Sequence, residues 1–131
     1  MTYLYQNITE QIIRCFYEVY GRLGYGFLEK VYEHSLMIEL GRAGLHAKNQ
    51  HPMNVLYKGE VVGDYLADIL VEQAVVVELK AVEVLVQEHE AQLINYLKAT
   101  NIEVGLLLNF GKRPEIRRKI FTNDRKTRER T

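Results

Sequence analysis

Residues 74–82 read AVVVELKAV. Ala74, Val75, Val76 and Val77 are an apolar run of the kind a strand buries on both faces, and Glu78 and Lys80 follow it two residues apart. An ionised group taken out of water costs several kcal/mol unless it is paired or bound, so these two side chains either reach water at the strand end or are put to use. Side chains alternate along a strand. Glu78 and Lys80 therefore leave one face while Val77 and Leu79 enter the other.

Upstream of this run the apolar period is two. Residues 50–57 read as a strand, Lys58 and Gly59 as a turn, 60–71 as a second strand, Glu72 and Gln73 as a tight connection, and 74–81 as the third. Links this short make an antiparallel meander. Asp68, in LADILVE, stands in the same apolar setting as Glu78. Opposed residues of a hairpin keep a constant sum of numbers, so Asp68 meets Glu78 only if Val71 pairs with Val75. That register needs a loop of Glu72, Gln73 and Ala74, or a two-residue turn plus a bulge. A plain two-residue turn pairs Val71 with Ala74 and sends the acids to opposite faces.

The flanks are helical. Asn7 to Glu10, NITE, fits an N-cap with a Glu three residues on, after which Ile8, Ile12, Cys15, Phe16, Val19 and Tyr20 recur at helical spacing until Gly21 and Gly24. A second helix is expected from near Gly26, through Leu28, Val31, Tyr32, Leu36 and Leu40, with Gly41 and Gly44 as exit signals. Downstream, residues 88–100 carry Leu93, Ile94 and Leu97 on one side of a helix, and VGLLLNF at 104–110 is a buried strand that a crossover can lay parallel to the third. Residues 117–121 add a short edge strand. The order ααβββαβ(β) is α/β: a mixed central sheet flanked by helices.

At 131 residues, 47% of them hydrophobic and 26% charged, the chain suits one domain with one core. That domain is expected over 1–121, with 122–131 a basic, flexible tail that has almost nothing apolar to bury. No apolar run approaches the roughly 20 residues of a membrane span, and the first residues lack a basic segment followed by an apolar one. The expectation is a soluble, cytoplasmic protein with no membrane partner. The single cysteine, Cys15, lies among Ile12, Phe16 and Val19 and reads as a buried thiol in a reducing compartment, a reactive thiol being the alternative. His34, His46, His51 and His89 show no zinc-ligand spacing. Gly24 and Gly26 follow no strand and read as a turn between helices, not as a nucleotide-binding loop.

The net charge of zero hides an asymmetry, because residues 112–131 hold nine Lys or Arg against three acids, leaving +6 there and −6 elsewhere. A basic end on an acidic body suits a polyanionic partner, and a solvated tail is the plain alternative.

If the register demand is met, Asp68 and Glu78 converge beside Lys80. Two close carboxylates repel, and Mg²⁺ or Mn²⁺, which take hard oxygen ligands, resolve the repulsion. Lys80 is then placed to hold or deprotonate a water and to offset charge on a phosphorane-like transition state, which suits phosphodiester hydrolysis. An exposed Glu-Lys pair at a strand end is the plain alternative. In GFLEKVY, Glu29 and Tyr32 share a helix face, and in QLINY, Gln92 and Tyr96 lie four apart on the side away from Leu93 and Leu97, where they could orient a phosphate or a base or hold a metal-bound water, an all-polar solvent face being the plain alternative.

Gly26-x-x-Glu29-x-x-Tyr32, Asp68, Glu78-Leu79-Lys80, Gln92-x-x-x-Tyr96 and the GLLLNFG ending, in this order, resemble the small bacterial and archaeal GxxExxY proteins, a branch of the PD-(D/E)xK nuclease superfamily. The resemblance covers about residues 8–121. It implies a restriction-endonuclease-like fold, with Asp68 and Glu78 as metal ligands and Lys80 as the catalytic lysine. Glu29 would be the helix-borne acid near the metal, and Gln92 and Tyr96 match the QxxxY element of exonuclease-like members. Ala67 stands where the superfamily's Pro would precede Asp68, a departure the superfamily tolerates. The expected function is a Mg²⁺- or Mn²⁺-dependent nuclease acting on DNA, with Lys112, Arg113, Arg117, Arg118 and Lys119 as candidate nucleic-acid contacts. A module that keeps the fold and binds nucleic acid or protein without cutting is the alternative, and a homo-oligomer or larger assembly is compatible with the small size.

Overall fold

Glu72 and Gln73 both take left-handed backbone, with φ of 53° and 52°, and the Ala74 N–H donates to the Val71 carbonyl at 3.0 Å. This is a tight turn with Ala74 as one extra residue, so Val71 pairs with Val75. The register that sets Asp68 opposite Glu78 follows. Left-handed backbone costs a side-chain-bearing residue roughly 1 kcal/mol. Glu72 offsets part of this by clamping His46: its N–H donates to the His46 carbonyl at 2.7 Å, and its carboxylate accepts the His46 N–H at 2.6 Å.

The computed structural model describes residues 4–126. Helices α1 (Gln6–Leu23) and α2 (Glu29–Arg42) precede the meander β1 (Ala47–Tyr57), β2 (Glu60–Val71) and β3 (Val75–Lys80); α3 (Gln87–Ala99), β4 (Val104–Phe110) and β5 (Pro114–Ile120) complete the fold. The five strands lie in chain order, antiparallel except for β3 and β4, which the α3 crossover makes parallel. Val77 and Leu79 of β3, with Leu106 and Leu108 of β4, pack under Ile12, Phe16, Leu36 and Leu40 of α1 and α2. Val76 and Leu107 pack under Leu93 and Leu97 of α3 on the opposite face. Gly105 makes that second layer fit, since a Cβ there would stand 2.8 Å from a Leu93 methyl.

Several elements depart from expectation. The α1 helix begins at Gln6, with Tyr5 as an N-cap that contributes no side-chain bond, so Asn7 is inside the helix and caps nothing. Tertiary contact fixes this start: the Arg118 guanidinium donates to the Leu4 carbonyl and to Thr9 Oγ1. Helix α2 begins at Glu29 and not at Gly26, whose φ of 106° excludes helix. The Tyr32 hydroxyl staples the preceding loop, donating to the Gly24 carbonyl at 2.7 Å and accepting the Phe27 N–H at 3.2 Å, while its ring stacks on Phe110 at 4.1 Å. Tyr32 is thus wholly buried. The expected short edge strand is a full partner of β4, with Pro114 at its first position, where a missing N–H is tolerated. Beyond it, residues 122–126 stay on the body. Lys126 Nζ donates to the carbonyls of Thr100 and Ile102, both at 2.9 Å, and Arg125 lies over the Phe121 ring. Residues 127–131 of the expected tail lie outside the described residues. Among the described residues, no helix is long and apolar enough to cross a membrane.

The segment that leaves β3 is held by Asn109, which is fully buried. Its amide accepts the Val82 N–H and donates to the Val82 carbonyl and to Glu115 Oε1, each at 2.9 Å, and Glu115 in turn accepts the Leu85 N–H. Removing the amide leaves the partly buried Val82 N–H and C=O without their partner, so Asn109→Ala is expected to lower unfolding free energy by about 2 kcal/mol. Urea denaturation followed by circular dichroism measures it; a loss under about 0.5 kcal/mol would mean that water replaces the amide.

Candidate active site

The ladder between β2 and β3 has three pairs, from Val71 with Val75 to Ile69 with Val77, and there the strands part. Side chains bridge the fork. The Asp68 carboxylate accepts the Leu79 N–H at 2.8 Å, and the Glu78 carboxylate accepts the Asp68 N–H at 3.1 Å. Each acid thus satisfies a backbone donor that the ladder has abandoned, leaving Asp68 Oδ1 and Glu78 Oε1 without a hydrogen bond of good geometry among the described residues.

Both acids are held above the ordinary carboxylate range. For Glu78 burial acts first and the neighbouring Asp68 charge second, and together they lift its pKa to about 7 against the relief given by the Asp68 N–H, Tyr65 and Lys80. Asp68 is raised by burial above all and by Glu33, while the Leu79 N–H, Lys80 and Lys30 draw it down. Glu29, on the first turn of α2, is raised by partial burial, with Lys80 opposing and Asp68 adding. The fold therefore brings Asp68, Glu78, Lys80 and Glu29 into one electrostatic group. Lys80 makes no salt bridge among the described residues. Among the described residues, no three or more His, Cys, Asp or Glu side chains stand together as a set that could hold a metal ion, so Glu29 does not join Asp68 and Glu78 as a third ligand in this arrangement. The donor set still fits a hard divalent cation: two adjacent desolvated carboxylates, each with an oxygen to spare.

Gln92 Nε2 donates to the Tyr96 hydroxyl at 2.8 Å, and the Tyr96 ring stacks on Tyr65 with centroids 3.4 Å apart and planes 19° apart. This pair borders the acids through Tyr65, which lies beside Glu78.

Of the basic candidates, Lys112 and Arg113 are exposed in the β4–β5 turn, at the end of the sheet where Lys80 lies, since Lys80 pairs with Asn109. Arg117 stands in the same cross-strand row as Glu78, with Leu107 between them, and so about 10 Å away. Arg117 and Lys119 both meet Glu90, at 3.4 Å and 2.6 Å. Arg118 is on the other face, bound to the start of α1. Cys15 is buried, and burial pushes its thiol up, away from reactivity.

Two residues of this neighbourhood escaped the sequence reading. Glu33, nearly fully buried, accepts from Asn49 Nδ2 at 2.9 Å and Gln50 Nε2 at 2.8 Å, holding β1 where Gln50 takes a φ of 49°. Its one signal was its place a turn after Glu29. Tyr65 gave no signal beyond sitting three residues before Asp68.

The chain belongs to the PD-(D/E)XK nuclease superfamily, whose family model matches residues 6–119. The fold is the restriction-endonuclease-like arrangement of that superfamily, and a nuclease-type function follows from membership. No curated protein and no solved structure matches the chain.

Because folded Glu78 holds its proton to about pH 7, against an ordinary 4.5, the folded state binds more protons than the unfolded chain between these values. Stability of the metal-free protein should therefore fall as pH rises from 4.5 to 7, by about 3 kcal/mol from this group alone. Glu78→Gln keeps an oxygen for the Asp68 N–H and removes the charge. Its stability in EDTA should decline less over the window, and it should exceed wild type at pH 8; parallel pH profiles for the two proteins would contradict the assignment.

Proposed function

We propose that the chain is a Mg²⁺- or Mn²⁺-dependent nuclease of the GxxExxY branch that hydrolyses phosphodiester bonds in DNA. The observation that carries this reading is the fork, where two desolvated acids, each already bound to a backbone N–H, keep an oxygen to spare within the field of Lys80. Asp68 and Glu78 would hold the cation, and Glu29 faces the same place from α2. When bound, the cation supplies Lewis-acid charge neutralisation at the scissile phosphate.

The protein's own groups do the rest. Lys80 orients the attacking water and offsets the negative charge that grows on the phosphoryl oxygens. The backbone N–H groups of Asp68 and Leu79 fix both carboxylates in place. Lys112 and Arg113, at the same end of the sheet, meet the DNA backbone. A binding module that grips without cutting has no use for two acids facing a phosphate, and this favours the enzyme. One buried cysteine suits action in the cytoplasm.

Asp68→Asn is expected to abolish Mn²⁺ binding by calorimetry, whereas Lys80→Ala should retain it and lose at least about 100-fold in cleavage of circular DNA. Cleavage by Lys80→Ala at the wild-type rate would return Lys80 to a plain strand-end charge. Replacing Lys112 and Arg113 together by Ala should reduce the slope of log K against log salt on duplex DNA by about 2, since each phosphate contact contributes about 0.9. An unchanged slope would move the DNA surface elsewhere.

A further inference from the structure

Tyr65 is 5% exposed, and among the described residues its hydroxyl, beside Glu78, is the one buried side-chain polar atom that meets no acceptor in good hydrogen-bond geometry. A buried phenol nearly always finds an acceptor, so this orphan calls for a physical reason. It cannot reach water by turning. Its ring is clamped flat against Tyr96, Tyr96 is tied to Gln92, and α3 is seated on the sheet where Gly105 makes room for Leu93.

The groups facing the hydroxyl are Glu78, nearest in effect, then Asp68 and Tyr96. Asp68 Oδ2 is taken by the Leu79 N–H and Glu78 Oε2 by the Asp68 N–H. The Tyr96 hydroxyl already accepts from Gln92. Asp68 Oδ1 and Glu78 Oε1 remain, and of the two carboxylates Glu78 lies closer in effect to the hydroxyl, so it is the acceptor for the phenolic O–H. Carboxylates that ligate metals are themselves oriented by hydrogen bonds from the protein, and losing such a partner costs 10- to 100-fold in metal affinity or activity.

We propose that Tyr65 is a positioning residue for the metal site, completing a hydrogen bond to Glu78 when that carboxylate is engaged. The Gln92–Tyr96 pair then serves the site through the Tyr65 ring, as a strut. The inference rests on the reading of Asp68 and Glu78 as cation ligands.

Tyr65→Phe tests it, because the variant keeps the stacked ring and deletes the one oxygen. Mn²⁺ alone is titrated calorimetrically into wild type, Tyr65→Phe and Glu78→Gln, and thermal midpoints are recorded in EDTA. The expected result is that Glu78→Gln loses binding, while Tyr65→Phe binds at least about 10-fold more weakly with a midpoint equal to or above wild type, and its cleavage falls in kcat with KM unchanged. Undiminished Mn²⁺ affinity in Tyr65→Phe, with Glu78→Gln impaired, overturns the role of Tyr65 and leaves the metal site standing. A lowered midpoint that accompanies the weaker binding also overturns it, by making Tyr65 a packing residue. Affinity unaffected by Glu78→Gln overturns the metal-site reading and this inference with it.

Discussion

The reciprocal grip between Asp68 and Glu78 is the constraint on which the site depends. Where β2 and β3 part, two backbone N–H groups lose their ladder partners, and a buried donor left unsatisfied costs about 1–3 kcal/mol. The carboxylates of the opposing residues accept them instead. One pair of side chains thereby ends the sheet pairing and points the acids at each other. The arrangement is held in tension, since burial favours the protonated form of both acids, with the charge of Asp68 adding to it at Glu78 and that of Glu33 at Asp68. On the proposed reading, a divalent cation removes the repulsion at Glu78 and uses the spare oxygens.

Around the fork, the fold spends its buried polar groups on placing segments. Tyr32 fixes the loop that delivers Glu29, and Asn109 fixes the segment that follows Lys80. Gly111 belongs to the same construction, because a Cβ there would sit 2.1 Å from the Val82 carbonyl oxygen. Glu33 holds the left-handed kink of β1 opposite Asp68. The GxxExxY and GLLLNFG stretches thus contain framework residues as well as chemistry: in the first, Glu29 faces the site and Tyr32 the core.

The register at the fork was legible because hairpin arithmetic turned a chemical wish into a demand on Val71 and Val75, and the turn at Glu72 and Gln73 met it with a bulge at Ala74. Strand alternation likewise placed Glu78 and Lys80 correctly against Val77 and Leu79. What stayed hidden depends on contacts far apart in the chain. Arg118 looked like a nucleic-acid contact, yet it binds residues 4 and 9 across more than 100 positions. Tyr65 and Glu33 lie in an exposed-looking strand and on a helix of mixed pattern, and only the packing of α3 and α2 buries them. Helix starts were misplaced for the same reason, because the ends of α1 and α2 are set by Arg118 and Tyr32 and not by local caps.

The claim that Asp68 and Glu78 form one unit awaiting a cation is tested most directly by counting protons. Mn²⁺ binding is measured calorimetrically at pH 6.5 in two buffers of different ionisation enthalpy. With Glu78 at about 7 in the metal-free protein, binding should release between about half a proton and one proton per ion, and Glu78→Gln should show neither the binding nor the release. Tight binding with no buffer dependence would contradict the claim, placing the ion away from these acids or leaving them ionised without it.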